Sequence, residues 1–168
     1  MQAFIEGMPK AELHVHIEGT LEPELSFALA EKNGIELPFD SPEALIAAYD
    51  FHDLPSFLTI YYAGMSVLID ESDFYKLTWD YLEKAASQNV VYTEIFFDPQ
   101  GHTSRGVAFE TVITGIRKAQ VDAEQKLGIR SQLIMCFLRD MSAESAMEHL
   151  QMAKPYLGWL VGVGLDSD

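Results

Sequence analysis

The 168-residue chain has a single cysteine, Cys136, so an internal disulfide framework is excluded and a reducing cytoplasm is the expected compartment. Basic residues are scarce: 11 Lys and Arg stand against 26 Asp and Glu, a formal net charge of −15. That balance repels a nucleic-acid backbone or an anionic membrane, and neither is expected as a partner. No apolar run reaches the ~18 residues that span a bilayer. The first eight residues lack the basic segment and apolar stretch of a signal peptide. Repeats, low-complexity tracts and Pro/Gly/Ser linkers are also missing, so nothing divides the chain into two domains. The length is enough for one substantial core.

What is present is an alternation of strand and helix patterns. A first strand is expected over about Glu12 to Ile17, then a helix from Glu22 to Asn33 with an apolar stripe of Leu25, Ala28 and Leu29, ended by Gly34. Ile35 to Gln88 forms a long helical excursion without a strand. Pro42 opens its first helix and Leu54 its second, while a third runs near Phe74 to Ala86 behind Ser72 and Asp73 as capping residues. Asn89 to Phe97 is β-branched and aromatic, hence a buried strand that Asp98-Pro99 stops. A loop from Gln100 to Gly106 precedes a helix whose buried stripe is Val112, Ile113, Ile116, Ala119 and Ala123, ended by Gly128. Ile129 to Leu138 is the third strand, Ser142 caps the next helix, and Trp159 to Leu165 is the fourth strand.

Strand and helix repeated about four times demand a parallel sheet with helices outside it. A (β/α)8 barrel typically takes ~250 residues. The expectation is therefore an α/β fold, residues 1–168 as a single domain covering about the first half of a TIM barrel, with an open parallel sheet as the alternative.

The candidate chemistry begins at His14-Val15-His16. Side chains on a strand repeat their face every second residue, so both imidazoles point one way. Side by side at a strand end they can hold one divalent metal; a solvated or hydrogen-bonded pair is the other reading of an isolated HxH. Glu12 is expected on the same face one layer deeper, as a carboxylate behind the metal or a plain ion-pair partner. Glu18 continues that face into the loop, within reach of anything bound above the metal. Asp98 ends the second strand at the same rim. His102 and Arg105 follow on the loop, where a hydrated surface position is the commoner outcome. Leu54, Phe57 and Leu58 can shield a flat apolar ligand or simply pack. Cys136 reads as an inert core thiol. His52 and His149 have no assigned role.

Pro9-Lys10-Ala11-Glu12-Leu13-His14-Val15-His16-Ile17-Glu18-Gly19 resembles the opening signature of the adenosine/adenine deaminase branch of metal-dependent hydrolases. Leu54-Pro55-Ser56-Phe57-Leu58 resembles that family's pocket-covering helix. Tyr92 to Gln100, with His102-Thr103 and Arg105-Gly106, is similar to the second-strand segment of the adenine deaminases in particular. The resemblance implies a (β/α)8 barrel with His14 and His16 as two ligands of one Zn2+, completed by a third histidine and an aspartate from later strands. It implies hydrolytic deamination of a purine, with hypoxanthine and ammonia as products from adenine. The protonating glutamate and a water-steadying histidine are expected beyond Asp168, so no catalytic side chain is assigned within the chain. Cysteine ligands of the other zinc deaminase class are absent.

Glu18 stands where adenosine deaminases usually carry Asp and the adenine branch Glu. One methylene discriminates by only ~1–3 kcal/mol, so it favours adenine without excluding adenosine. Ser167 stands where adenosine deaminases have Gly, in a fourth-strand segment whose backbone contacts the purine. The implied substrate-binding set is thus Glu18, Leu54, Phe57, Leu58, Asp98 and Ser167. Three other readings stay open. One is an adenosine or modified-adenine nucleoside deaminase; another is a metal phosphoesterase, which the acidic balance disfavours. The third is an inactive half barrel that self-associates through its unpaired outer strands.

Overall fold

A computed structural model of the chain describes residues 1–167. Its elements are helix α1 (Gln2–Gly7), strand β1 (Lys10–His16), a 3-10 turn (Ile17–Thr20), α2 (Pro23–Asn33), α3 (Pro42–Ala48), α4 (Leu54–Met65), α5 (Glu71–Ser87), β2 (Val90–Phe97), α6 (Pro99–Thr103), α7 (Phe109–Leu127), β3 (Arg130–Leu138), α8 (Ala143–Ala153), a second 3-10 turn (Lys154–Trp159) and β4 (Leu160–Asp166). The four strands form one parallel sheet in the order β1-β2-β3-β4. Each strand lies beside its predecessor with no reversal of direction, as in a barrel; a doubly wound open sheet reverses its strand order part-way. The chain therefore has the α/β architecture of half a (β/α)8 barrel.

The outer faces of β2 and β3 make the core with α5 and α7. Ile95, Phe97, Leu133 and Met135 meet Phe74, Leu77, Leu82, Val112, Ile113 and Ile116, all at most 1% exposed. Each such side chain contributes about 1.5–3 kcal/mol by leaving water. The expected stripe on α7 is buried throughout, with Ala119 and Ala123 completing it. On α2 the stripe is displaced: Leu29 is buried but Ala28 is exposed, and Pro23, Ser26 and Ala30 complete the inner face. Helices α2 and α7 end at Gly34 and Gly128, which take left-handed φ values of 64° and 74°.

Other boundaries move for local reasons. α5 begins at Glu71, because Asp70 is its capping residue. The Asp70 side chain accepts from the N–H groups of Ser72 and Asp73, while Asp73 Oδ2 accepts from the N–H of Asp70. α5 is a core helix, so the covering excursion is narrower than 35–88 and consists of α3 and α4. The expected loop after β2 contains the one-and-a-half-turn α6, started by Pro99. The exposed α1 was not anticipated.

β1 carries an irregularity that matters for the site. Glu12 pairs with Thr93 but Val15 pairs with Ile95, so three residues on β1 span two on β2. This bulge reverses the alternation between Glu12 and His14. Glu12 consequently faces outward, where its Oε2 accepts from Tyr81 Oη at 2.6 Å. It does not lie beneath the histidines as simple alternation predicts.

No helix among the described residues is long and apolar enough to cross a membrane. On β4 the outward Val161, Val163 and Leu165 are 57–68% exposed, because no described helix covers that face.

Candidate active site

The carboxyl ends of the four strands bring the titratable residues together. Beyond the bulge, His14 and His16 share the inner face of β1, with ring centroids 5.4 Å apart. Phe96 of β2 lies against both, at 4.5 Å from His14 and 5.2 Å from His16. Two imidazoles bound tetrahedrally to one zinc at ~2.0–2.1 Å place their centroids about 5 Å apart. The observed spacing fits a shared ion.

His16 is held from behind. Its Nδ1 lies 3.3 Å from Asp166 Oδ2 and 3.7 Å from Asp98 Oδ1, close but not aligned as hydrogen bonds. Burial opposes a charge on this ring, yet the two carboxylates outweigh it and raise its pKa to about 10. Asp166 is correspondingly held below the usual carboxylate range, its burial outweighed by His16. A carboxylate on one imidazole nitrogen leaves the other for a cation, which is the usual arrangement behind a metal-ligating histidine. Buried His16 Nδ1 and Asp98 Oδ1, without a hydrogen-bond partner among the described residues, converge here, and the donor set of two imidazoles with carboxylates behind them suits zinc. His14 and His16 can therefore hold a metal.

A cavity of about 320 Å³ opens over the pair. Leu54, Phe57, Leu58 and Tyr61 of α4 form its cover, and Asp166 and Ser167 line it from β4. The structure thus brings His14, His16, Leu54, Phe57, Leu58 and Ser167 together around one space. α4 is set there by a capping box, in which Asp53 Oδ1 accepts from Ser56 N–H and Ser56 Oγ faces the Asp53 N–H. Ser167 has φ 71°, a conformation natural to glycine. Its hydroxyl accepts from Tyr62 Oη at 3.1 Å, and its carbonyl accepts from Arg139. A larger cavity of about 470 Å³ lies on the outer flank of β1, between Glu12, Tyr81 and Lys84, and is lined by no imidazole.

Glu18 and Asp98 sit beneath the cover rather than in the cavity wall. Glu18 is 3% exposed, so a solvated loop carboxylate does not describe it. Its Oε1 accepts from Asp98 N–H at 3.0 Å and faces His102 Nε2 at 2.9 Å. Asp98 Oδ2 accepts from Tyr61 Oη at 2.7 Å. Burial raises both acids to about 7, and the charge of Glu18 adds to the effect on Asp98.

His102 is fully buried, contrary to the hydrated loop expected, because α6 folds it back under the rim. Arg105 lies beside it, anchored on the carbonyls of Ser66 and Leu68. His149 accepts from Thr103 Oγ1 and donates to Ser145 O, a structural tie from α8 to α6. His52 is exposed. Cys136 is buried but faces the inside of the sheet, where a ligand atom of each of His16, Asp98 and Cys136 lies within 4.8 Å of the others. Burial and the neighbouring carboxylates push its thiol upward, away from the thiolate that binds metal.

Sequence reasoning missed two groups. Asp166 follows Gly162 and Gly164 at alternate positions, so parity marks it as inward-facing at the rim. Tyr61 reads as part of an apolar stripe, and nothing local signals that its hydroxyl reaches Asp98.

Comparison with known proteins decides the family. The adenosine deaminase sequence profile matches residues 9–168. The chain belongs to the adenosine deaminase family. An adenine deaminase of Marinomonas sp. (strain MWYL1) is 61% identical over 170 residues, covering 99% of this chain and 51% of that protein. The crystal structure of an adenine deaminase from Arthrobacter aurescens superposes with a TM-score of 0.92 at 53% identity, over 95% of this chain and 49% of that one. An amidohydrolase from Burkholderia ambifaria with bound Zn matches at TM-score 0.88 and 26% identity, over 99% of this chain and 46% of that one. The chain spans about half the length of the curated relatives it matches.

Proposed function

We propose that these residues form the first half of the active site of a zinc-dependent adenine aminohydrolase, which releases hypoxanthine and ammonia. The observation that carries this reading is the pair of imidazoles, His14 and His16, flooring a cavity under the apolar cover of α4. The high identity to adenine deaminases supports adenine as the substrate. His14 and His16 would hold the zinc, which would supply an activated water near neutral pH for replacement of the C6 amino group.

The chain's own groups prepare that chemistry. Asp166 and Asp98 place negative charge beside His16 Nδ1, which favours the proton on that nitrogen and leaves the other for the metal. Leu54, Phe57 and Leu58 exclude water from a flat purine and strengthen every polar contact beneath it. Ser167 lines the opposite wall in a backbone conformation that glycine would adopt freely. The cytoplasm is the proposed compartment and a small purine the proposed partner.

Zinc analysis of the purified full-length protein that contains these residues, paired with ammonia release from adenine and from adenosine, tests the reading. About one zinc per site and a clear preference for adenine are expected; preference for adenosine refutes the choice of base. The exposed outer face of β4 favours a second, separate property: these 168 residues handled alone self-associate.

A further inference from the structure

His102 is buried beside Glu18 with the half-buried Arg105 against it, and neither lines the cavity over the histidines. Arg105 Nη2 lies 2.9 Å from His102 Nδ1, and a guanidinium can only donate. Nδ1 is therefore the acceptor, and the ring proton is on Nε2, which donates to Glu18 Oε1 at 2.9 Å. Arg105 is itself tied down by donating to the carbonyls of Ser66 at 3.2 Å and Leu68 at 2.6 Å. The edge-on ring of Phe74, 4.8 Å away, closes the remaining side of His102. Burial keeps this histidine neutral, with a pKa lowered to about 3.

The consequence falls on Glu18. Its Oε1 already accepts from Asp98 N–H and His102 Nε2, whereas Oε2 is buried with no partner among the described residues. A buried oxygen without a donor is costly and awaits one. Glu18 lines a recess of about 30 Å³ that shares Gly19, Phe57 and Tyr61 with the cavity over the histidines. The recess takes a water-sized group and is too small for a pentose.

We propose that Arg105 and His102 are positioning residues for the choice of free base over nucleoside. They pin one oxygen of Glu18 so that the other meets a ring N–H, which adenine carries and its N-glycoside lacks. The inference rests on the reading of the protein as an adenine aminohydrolase.

Two measurements test it. Nitrogen-15 NMR of the imidazoles in the metal-loaded full-length protein is expected to show His102 with Nδ1 unprotonated and Nε2 protonated, and Arg105→Gln is expected to loosen that tautomer. Steady-state kinetics of His102→Leu are expected to show KM for adenine raised ~10- to ~100-fold, the loss typical of a hydrogen bond to a charged group, with kcat nearly unchanged. His102→Gln, whose amide can donate to Glu18, is expected to recover most of that loss. A proton on Nδ1 overturns the positioning role and needs no variant, so it decides even if His102→Leu does not fold. An unchanged KM in a folded His102→Leu enzyme that still prefers adenine overturns the positioning role alone. A wild type that prefers adenosine overturns both readings.

Discussion

Replacing Gly115 with alanine tests how the helix layer is built behind the site. Gly115 lies mid-way along α7, where the helix crosses α5. A Cβ there would sit 2.5 Å from Glu71 O, 2.7 Å from Phe74 Cβ and 3.1 Å from Tyr75 N. Two of these are α5 backbone atoms, which cannot swing aside as a side-chain tip can. In an unopposed helix the same change gains about 1 kcal/mol. Overpacking of a tight core costs about 1–3 kcal/mol, and fixed backbone contacts put this case near the upper end. The net expectation for Gly115→Ala is a loss of about 2 kcal/mol. For a chain of this size that corresponds to roughly 4–8 °C in Tm. Gly64→Ala on α4 is the control, because its Cβ meets only Leu21 Cδ2, at 3.7 Å. It is expected to stabilise by about 0.5–1 kcal/mol. Urea unfolding of both variants, compared at equal m, reads the difference. Stability equal to wild type or greater for Gly115→Ala, with the control behaving as stated, refutes the packing argument. The shift of α5 is also expected to carry Phe74 away from His102, so the two effects are coupled.

Three further outcomes follow from named contacts. His14→Ala or His16→Ala is expected to weaken zinc binding at least ~10-fold, as read by metal titration; undiminished affinity in either variant removes the proposed metal centre. Asp73 is buried, and its carboxylate accepts from Lys32 at 2.5 Å, from Asn33 at 2.8 Å and from the N–H groups of Ile69 and Asp70. Burial alone would raise its pKa, but these donors hold it below the ordinary 3.8. A depressed folded-state pKa stabilises above the unfolded value, and that stabilisation is lost as pH falls through the acid range. Asp73→Ala is therefore expected to cost about 3 kcal/mol at neutral pH and to flatten acid unfolding below about pH 4; parallel acid curves for variant and wild type contradict this. Val163→Lys with Leu165→Lys is expected to shift the 168-residue chain toward monomer in sizing chromatography, and an unchanged elution position counts against β4 as the associating face.

Much of the plan was legible because hydrophobic alternation and cap residues act over a few residues. The four strands, the glycine-ended helices and the α7 stripe all follow from such local rules. His14, His16 and the cover residues Leu54, Phe57 and Leu58 were legible for the same reason, since spacing two on a strand and three or four on a helix define a face. Glu12 was misplaced because a bulge between it and His14 is dictated by pairing with β2, not by residues 12–14 themselves. His102 looked like a loop residue because its partners, Glu18 and Phe74, are distant in sequence.

Residue order alone determined which segments alternate and hence that helices must cover one side of a parallel sheet. It also determined that two imidazoles share a face at the end of β1. Only the tertiary structure decided that Asp166 stands behind His16, that Tyr61 binds Asp98, and that Arg105, His102 and Glu18 form one chain of donors and acceptors. The reason is physical: periodicity reports the direction of each side chain from its own element. A hydrogen bond between elements depends on how those elements pack, and packing is settled by the whole core at once.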